Sequence, residues 1–398
     1  MDKRDRLILW GLAGINFTHI MDVMIMMPLG DIFMQEFGIG PDAFSILLSS
    51  YAIGAFISSL VGALFLDRFD RKKALIFIYA GFALGTLGCG FAPNYVFLLT
   101  IRFITGFFGG MNSALVLSIV SDRFPFERRG KAMGVLMSAF SAAAALGVPF
   151  GLYLADLFSW HAPFLFLGLT GMSWWFFLRY AIPTIEDHMA GGVPPFSVKR
   201  VVGDIANDNN QLRALLLGFI LIFGHYVIIP FITPYMIRNV GFDQSDVTLI
   251  YLLGGVLTVF SSPFIGRLTD RFGALRVFTI TLFISFIPVI TMTNLPPVPV
   301  AVALIVTSAF FVLGSGRMIA PQAMITAAVG PSNRGSFMSM KSALQQLAIA
   351  IAAFVSGQII VESADGILLR YSWVGYLSVA VCLVALYLAR QLKVAEGN

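Results

Sequence analysis

Three polar side chains, Asn16, His19 and Asp22, follow one another at intervals of three residues inside an apolar stretch near the N-terminus. At this spacing they share one face of a helix, and Thr18 precedes Asp22 by four residues on the same face. A charged side chain in hydrocarbon costs at least about 2.5–3.5 kcal/mol and usually marks a substrate or proton path. We therefore expect Asp22 to exchange a proton. His19 could carry a proton, bind a substrate or hydrogen-bond a neighbouring helix.

Two arginines, Arg102 and Arg317, also fall within apolar stretches. Counting 1.5 Å per residue places Arg102 at the same depth as Asp22 on a helix of opposite direction, so the sequence predicts that the two pair. The pair could serve proton coupling or act as a static strut. Arg317 has no acid at membrane depth in its own half. It could bind an anionic substrate, pair with Asp22 in one conformation, or bond backbone carbonyls at a kink.

The elements that must position these side chains are membrane-spanning helices. The chain of 398 residues is 58% hydrophobic and only 12% charged, with a mean hydropathy of +0.86, whereas soluble domains are about 25% charged. One span needs about 20 mainly apolar residues. Twelve segments qualify: 7–30, 43–66, 73–92, 96–119, 131–154, 161–181, 212–236, 247–268, 275–294, 298–322, 336–361 and 372–391.

The basic residues indicate the topology. Most of the 26 Lys and Arg fall in the N-terminus, the C-terminus and the loops on one side of the predicted spans. By the positive-inside rule, both termini and the long loop between spans six and seven are cytoplasmic. The net charge of +5 therefore reflects topology, and we expect no nucleic-acid partner. Cys89 and Cys382 show no disulfide or metal spacing and are expected to be packing residues. We expect no metal and no cofactor.

The sequence repeats itself at an offset of 203 residues, which aligns the segment from Gly38 with the segment from Gly241. Spans two to five thus recur as spans eight to eleven. Parallel repeats of this kind are a recurrent plan of transporters, with a binding site near the membrane midplane. We expect an N-terminal bundle over 1–181, a cytoplasmic linker over 182–211 and a C-terminal bundle over 212–398.

Two of the repeated segments carry a motif. ALFLDRFDRKKAL begins at Ala63 and GRLTDRFG begins at Gly266. They resemble the G-x-L-x-D-R-x-G-R-K signature of the major facilitator superfamily, although Ala63, Phe65 and Asp70 depart from it. The resemblance implies an all-α membrane fold of twelve spans in two pseudo-symmetric six-helix bundles. It also implies a cytoplasmic gate, asymmetric between the halves, formed by Asp67, Arg68, Arg71, Asp122, Gly266, Asp270, Arg271 and Gly273.

Span five resembles the exporting branch of this superfamily. Gly147, Pro149 and Gly151 are similar to its span-five motif, and the WHAPF segment from Trp160 is similar to the W-R-x-x-F of drug and arabinose-efflux permeases. Small residues also allow helices to pack closely, which explains them equally well. Because span eleven lacks the matching residues, we expect a kink in one half only.

Span seven contains Pro230 and Pro234, which should break or bend it. Irregular backbone at membrane depth is tolerated where it lines a cavity. We expect a substrate cavity formed by Asn16, Asn112, His225, Tyr226, Arg317, Gln345 and Gln346.

These observations predict a proton-coupled transporter that works by alternating access and exports a drug-like compound or sugar. Uptake of an organic anion is the first alternative, and a non-transporting membrane receptor is the second. The sequence contains no H-E-x-x-H, G-x-S-x-G or phosphate-loop motif, so we do not expect an enzyme. The resemblance implies a bacterial inner-membrane protein that acts as a monomer and interacts with lipid, protons and a small-molecule substrate.

Overall fold

Long helices dominate the computed structural model, which describes residues 3–65, 69–124, 126–184, 203, 205, 207–330 and 334–393. The helices up to residue 181 are α1 (Lys3–Ile25), α2 (Gly30–Phe37), α3 (Pro41–Phe65), α4 (Arg71–Cys89), α5 (Tyr95–Arg123), α6 (Phe126–Ala142), α7 (Val148–Leu157) and α8 (His161–Ala181). The later helices are α9 (Asn209–Tyr226), α10 (Ile232–Tyr235), α11 (Gln244–Phe272), α12 (Ala274–Thr293), α13 (Val300–Ala327), α14 (Arg334–Ile359) and α15 (Tyr371–Gln391). Strands β1 (Val361–Glu362) and β2 (Leu368–Leu369) form an antiparallel hairpin.

The chain divides into two compact units, of which the first comprises residues 1–26 and 50–198 and the second comprises residues 27–49 and 199–398. Residues 27–49, which include α2 and the start of α3, thus belong with the C-terminal helices. The division into bundles over 1–181 and 212–398, joined by a linker over 182–211, stays a prediction. The sequence of that linker also predicts a short surface helix around residues 196–205, which falls mostly outside the described residues.

Eleven of the described helical segments are long and apolar enough to cross a membrane. They correspond to eleven of the twelve predicted spans. The remaining prediction, 161–181, forms the 21-residue helix α8. Its His, Arg and two Trp residues make it less apolar than the others, but at 1.5 Å per residue it is about 30 Å long, the thickness of the hydrocarbon layer.

The first helix ends earlier than the predicted span over 7–30. α1 stops at Ile25, and after a turn the chain enters α2, which was not predicted. Pro28 explains the break, because proline lacks an N–H donor and disfavours helical backbone in the residue before it. Gly38 then ends α2 in the left-handed conformation, with φ of 59°.

Glycines bring α3 and α5 of the first unit into backbone contact. A Cβ atom at Gly54 would lie 2.3 Å from the Phe103 carbonyl oxygen, and one at Gly106 would lie 2.1 Å from the Tyr51 carbonyl oxygen. Only glycine allows helices to approach so closely. This contact sets the rotation of α3 and holds Tyr51 against α5.

The predicted kink in span five is present. A π-helical turn at Ala143–Gly147 separates α6 from α7, and Pro149 is the second residue of α7. In the second unit the corresponding helix, α14, runs without interruption. Cβ atoms at Gly147 and Gly151 would lie 3.0 Å from Met21 Sδ and 2.7 Å from Ile25 Cδ1. These glycines therefore let the π-helical turn and α7 pack on α1 beside Asp22.

The two prolines of span seven interrupt it, as predicted. α9 ends at Tyr226, and a 3₁₀ turn at Ile229–Phe231, α10 and a π-helical turn at Met236–Val240 follow it. Proline cannot donate the hydrogen bond that would continue the α-helix. The backbone therefore forms a narrow 3₁₀ turn, then one α-helical turn, then a wide π-helical turn. The side chain of Asn239 then exchanges two hydrogen bonds with the backbone of Leu368 in the hairpin.

Candidate functional site

A buried ion pair lies in the first unit, between α1 and α5. Arg102 Nη1 donates to Asp22 Oδ2 at 2.9 Å, and the two side chains are 2% and 0% exposed. The contact that the sequence predicted is therefore present. Thr86 Oγ1 on α4 donates to the other carboxylate oxygen, Asp22 Oδ1, at 3.1 Å. Asp22 thus has a partner on each oxygen, one charged and one neutral.

Tyr51 covers the guanidinium of this pair. Arg102 Cζ lies 4.4 Å from the centre of the Tyr51 ring, which is a cation–π distance. Arg102 Nε has no hydrogen-bond partner among the described residues. Neither Tyr51 nor Thr86 was predicted to belong to the site. Thr86 could have been found, because it is a polar residue in the apolar second half of α4, but Tyr51 has no spacing signal.

Two polar atoms beside the ion pair, His19 Nε2 and the Tyr51 hydroxyl oxygen, have no hydrogen-bond partner in the described part of the chain. Both side-chain polar atoms of Asn112, ten residues further along α5 than Arg102, also have none. A Cβ atom at Gly109 would lie 2.2 Å from the Tyr51 hydroxyl oxygen and 3.1 Å from His19 Nε2, so these two groups meet at the same glycine. Buried polar groups are normally satisfied, which makes this cluster a place for water or a ligand group.

Asn16, the first member of the polar stripe on α1, has a different environment. Its Nδ2 donates to the Leu136 carbonyl oxygen of α6 at 2.9 Å. Thr18 hydrogen-bonds the Tyr79 hydroxyl at 3.0 Å. These two members of the stripe therefore join α1 to its neighbours, while its remaining members, His19 and Asp22, lie in the cluster around Arg102.

A second buried arginine, Arg317, lies on α13 in the second unit and is 0% exposed. Its Nη2 lies 3.2 Å from His225 Nδ1 on α9, and its Nη1 lies 3.6 Å from Cys382 Sγ on α15. The ring of Phe310 stacks on His225 with centroids 5.6 Å apart, and Tyr226 meets the same imidazole edge-on. No carboxylate of a described residue lies within 4 Å of the Arg317 nitrogens.

Gln345 and Gln346 on α14 are half-buried, and neither forms a hydrogen bond with a described residue. The structure thus brings His225, Tyr226 and Arg317 together within the second unit. Asn112 belongs to the first unit, and its buried side-chain polar atoms have no hydrogen-bond partner among the described residues. A single cavity lined by all seven predicted residues stays a prediction.

The second unit also contains a buried carboxylate. Asp31 on α2 is 3% exposed. It pairs with Arg238, which also contacts Glu362 Oε1 at 2.7 Å in the hairpin. Asp22 is therefore not the sole buried acid, although Asp31 lies in the first turn of a short helix and is paired with a partly exposed arginine.

The predicted cytoplasmic gate is only partly within the described residues. Asp67, Arg68 and the side chain of Asp122 lie outside them. Arg71 is the first residue of α4, whose N-cap is Asp70, a position at which the superfamily signature has Gly. Asp70 accepts from the Lys72 backbone N–H at 3.0 Å, an interaction worth about 1 kcal/mol.

The second copy of the gate motif is exposed at the end of α11. Asp270 and Arg271 are solvent-accessible, and the Arg271 guanidinium lies 5.2 Å from the Phe272 ring centre. Gly273 has φ of 86° and joins α11 to α12 in a conformation that favours glycine. A Cβ atom at Gly266 would meet nothing within 4 Å. Whether these residues gate the protein stays a prediction.

Among the described residues, no group of three or more His, Cys, Asp and Glu side chains could hold a metal ion. Cys89 and Cys382 are buried and form no disulfide with each other. The arrangement can therefore do two things chemically. It can neutralise and restore a carboxylate beside an arginine in the first unit, and it can bind hydrogen-bond acceptors to an arginine in the second.

Comparison with known proteins identifies relatives. A family model described as the Major Facilitator Superfamily matches residues 12–205 and 214–396. The putative transporter AraJ of Escherichia coli (strain K12) is 25% identical over 253 residues, which cover 62% of this chain and 61% of AraJ. The Lactococcus lactis homologue of the multi-drug resistance efflux pump PmrA is 27% identical over 301 residues, covering 72% of this chain and 71% of that protein.

Solved structures of similar fold cover nearly the whole chain. A bacterial homologue of the human lysosomal transporter Spinster, inward-facing and unoccupied, superposes with a TM-score of 0.77 at 14% identity and covers 98% of each chain. The xylose transporter XylE from E. coli, in an inward-open conformation, gives a TM-score of 0.73 at 16% identity and covers 99% of this chain and 97% of XylE. At these identities the likeness concerns the fold.

Proposed function

This chain belongs to the Major Facilitator Superfamily, and we propose that it exports a small organic molecule in exchange for protons. It is a multi-pass membrane transporter and not an enzyme. The efflux names of relatives such as the PmrA homologue support the outward direction. The observation that carries proton coupling is the buried contact between Asp22 and Arg102.

The pair suits proton coupling because each partner depends on the other. Two charges out of water are tolerated only when they are paired and hydrogen-bonded, and removing one partner of such a pair costs about 3–5 kcal/mol. When Asp22 takes up a proton, Arg102 loses its counter-charge. Arg102 itself cannot release a proton. The free energy of the site therefore changes with protonation of the one carboxylate, which is what a proton-driven step requires.

The surroundings of the pair support a two-state role. Thr86 offers a hydroxyl that donates to the carboxylate in its charged form and can accept from it in its protonated form. Tyr51 gives Arg102 a neutral partner, its ring, whose attraction does not depend on protonation of Asp22. In the proposed cycle, proton uptake at Asp22 weakens its bond to Arg102, the protein changes conformation, and the proton leaves on the cytoplasmic side as substrate is exported.

Replacement of Asp22 by Asn tests the proposal. A thermal-shift panel of sugars, drugs, fatty acids and organic anions on the purified protein first identifies a ligand. Proteoliposomes containing a pH-sensitive dye then report proton movement when that ligand is added. We expect Asp22→Asn to abolish proton-driven flux and to retain ligand exchange. The matched control is Asp365→Asn, which removes an exposed carboxylate from the turn of the hairpin and should leave the flux intact.

Unchanged proton-coupled flux in Asp22→Asn would exclude the proposed role. The direction of transport is tested separately, by comparing accumulation in everted and right-side-out vesicles. An exporter accumulates its substrate in everted vesicles when the interior is acidic. Accumulation in right-side-out vesicles with an alkaline interior would instead identify a proton-coupled importer.

A further inference from the structure

The guanidinium of Arg317 carries a positive charge for which the described residues of the second unit provide no counter-charge. The side chain is fully buried, and a guanidinium cannot be deprotonated in a protein. Burying an unpaired charge is costly, so buried charges are normally paired. Among the described residues, the hydrogen-bond partners of Arg317 are His225 and Cys382, and neither is a carboxylate.

The helices around Arg317 could not provide a carboxylate in another rotamer either. α13, which carries Arg317, and the two helices that supply its partners, α9 and α15, contain no Asp or Glu. Within the described part of the chain, Arg317 also donates to no backbone carbonyl, so it does not satisfy the backbone at a kink, which was one of the three uses that the sequence allowed. The missing negative charge must come from outside these helices.

Asp22 is not a free source of that charge in this structure. One of its oxygens accepts from Arg102 and the other accepts from Thr86. The sequence left the charge of the substrate undecided, since Asp22 favours a cation and Arg317 an anion. The structure separates the two cases, because Asp22 is neutralised within its own unit whereas Arg317 is not.

His225 provides a second hydrogen-bond donor next to the guanidinium of Arg317. We call the N–H groups of these two side chains the donor set. An arginine can only donate hydrogen bonds, so His225 Nδ1 accepts from Arg317 Nη2 at 3.2 Å, and the neutral ring then carries its proton on Nε2. His225 is partly exposed whereas Arg317 is buried. Phe310 and Tyr226 supply aromatic walls on two sides of the imidazole. Nε of Arg317 is buried and has no hydrogen-bond partner among the described residues.

We propose that Arg317 and His225 bind an oxyanion, such as a carboxylate, on the transported molecule, whose apolar part contacts Phe310 and Tyr226. The proposal rests on the transporter function proposed above and names the class of substrate. Arg317 supplies the positive charge and His225 Nε2 supplies a directed donor. Charge-assisted hydrogen bonds of this kind are about twice as strong as neutral ones, so they select an anion over a neutral analogue of the same shape.

The test compares three ligands that differ mainly in charge, namely benzoate, benzamide and benzylammonium. Binding to the full-length protein is measured by thermal shift and by isothermal titration, without a proton gradient. We expect saturable binding of benzoate and markedly weaker binding of the other two. Arg317→Gln should weaken benzoate binding by roughly ten- to a hundredfold, the value of one hydrogen bond to a charged group.

Lys341→Gln is the matched control. It removes another buried positive charge from the same unit, one whose Nζ hydrogen-bonds the Gln322 side chain, and it should leave benzoate binding unchanged. If Arg317→Gln does not fold, Arg317→Lys and His225→Gln test the same site. Lys keeps the charge but loses the planar fork, so both variants should bind benzoate more weakly than the wild type.

Equal binding of benzoate and benzamide, no binding of benzoate, or unchanged affinity in the Arg317 and His225 variants would overturn the proposal. Asp22→Asn should still bind benzoate, because Asp22 is not part of this donor set. Proton-coupled flux that survives in Asp22→Asn contradicts the proton-coupling proposal alone, whereas a wild-type protein that does not prefer benzoate over benzamide contradicts the anion proposal alone.

Discussion

Arg102 and Arg317 are both fully enclosed arginines on long helices, yet their electrostatic surroundings are opposite. Arg102 faces a carboxylate at 2.9 Å and a tyrosine ring. Arg317 faces an imidazole nitrogen and a thiol, both uncharged groups. The comparison shows that two units with repeated sequence can differ in the electrostatic surroundings of their buried arginines. We infer that the first unit responds to protons, and that the second responds to the charge of the ligand.

The largest expected effect is a difference in the free energy of unfolding between variants of the two arginines. Arg102→Gln leaves the Asp22 carboxylate buried without its charged partner and should cost about 3–5 kcal/mol of unfolding free energy. Arg317→Gln leaves no described carboxylate without a charged partner. It should cost at most about 1.5–3 kcal/mol, the loss of one hydrogen bond from a charged group. Unfolding free energies are measured by denaturant titration in mixed micelles.

A double variant sharpens this comparison. Adding Asp22→Asn to Arg102→Gln removes the stranded charge, so the double variant should be more stable than Arg102→Gln alone. Equal losses in the two arginine variants, or no recovery in the double variant, would contradict the assignment of different environments.

An intermediate effect is expected at the glycines that face the two histidines. Gly109 and Gly314 correspond at an offset of 205 residues. A Cβ atom at Gly109 would lie 2.2 Å from the Tyr51 hydroxyl oxygen, whereas one at Gly314 would lie 3.1 Å from His225 Cε1. Gly109→Ala should therefore cost about 1–3 kcal/mol through overpacking, and Gly314→Ala should cost clearly less. Thermal unfolding of both variants checks the order, and similar losses would refute the tighter packing of the first unit.

The smallest effect concerns the ring over Arg102. Tyr51→Phe removes a hydroxyl that has no described hydrogen-bond partner, so stability should change by less than about 0.5 kcal/mol. Tyr51→Leu removes the aromatic face and should cost about 0.5–2 kcal/mol. The control is Tyr79→Phe, which deletes a hydroxyl bonded to Thr18 and should cost about 0.5–1.5 kcal/mol. A Tyr51→Phe loss as large as that of Tyr51→Leu would argue against the cation–π contact.

Depth along straight helices was predictable from the sequence. The rise per residue in an α-helix is fixed, so the positions of Asp22 and Arg102 along the chain were enough to place them at one level. The break in span seven was predictable for a similar reason, since proline acts on its own backbone. For the second unit, the sequence predicted that His225, Tyr226 and Arg317 line a cavity. It did not decide among three possible roles of Arg317.

The rotation of each helix about its own axis, which decides which side chains face a neighbouring helix, was not predictable from the sequence. Tyr51 reaches Arg102 because Gly54 and Gly106 let α3 contact α5 through their backbones, and such a contact depends on both helices at once. The hydrogen bond from the Asn16 amide nitrogen to the Leu136 carbonyl oxygen was not predicted either, and the place of Asn16 in a cavity stays a prediction. α2 was missed because the apolar pattern continues past the point where Pro28 ends α1.

The central claim is that Asp22 gains and loses a proton beside Arg102, and infrared difference spectroscopy tests it most directly. Purified protein is acidified stepwise over the pH range of transport, and the carbonyl stretch of protonated carboxylic acids is recorded for the wild type and for Asp22→Asn. We predict a band from a buried carboxylic acid that appears reversibly in the wild type and is missing from Asp22→Asn. Identical difference spectra for the two proteins would contradict the account.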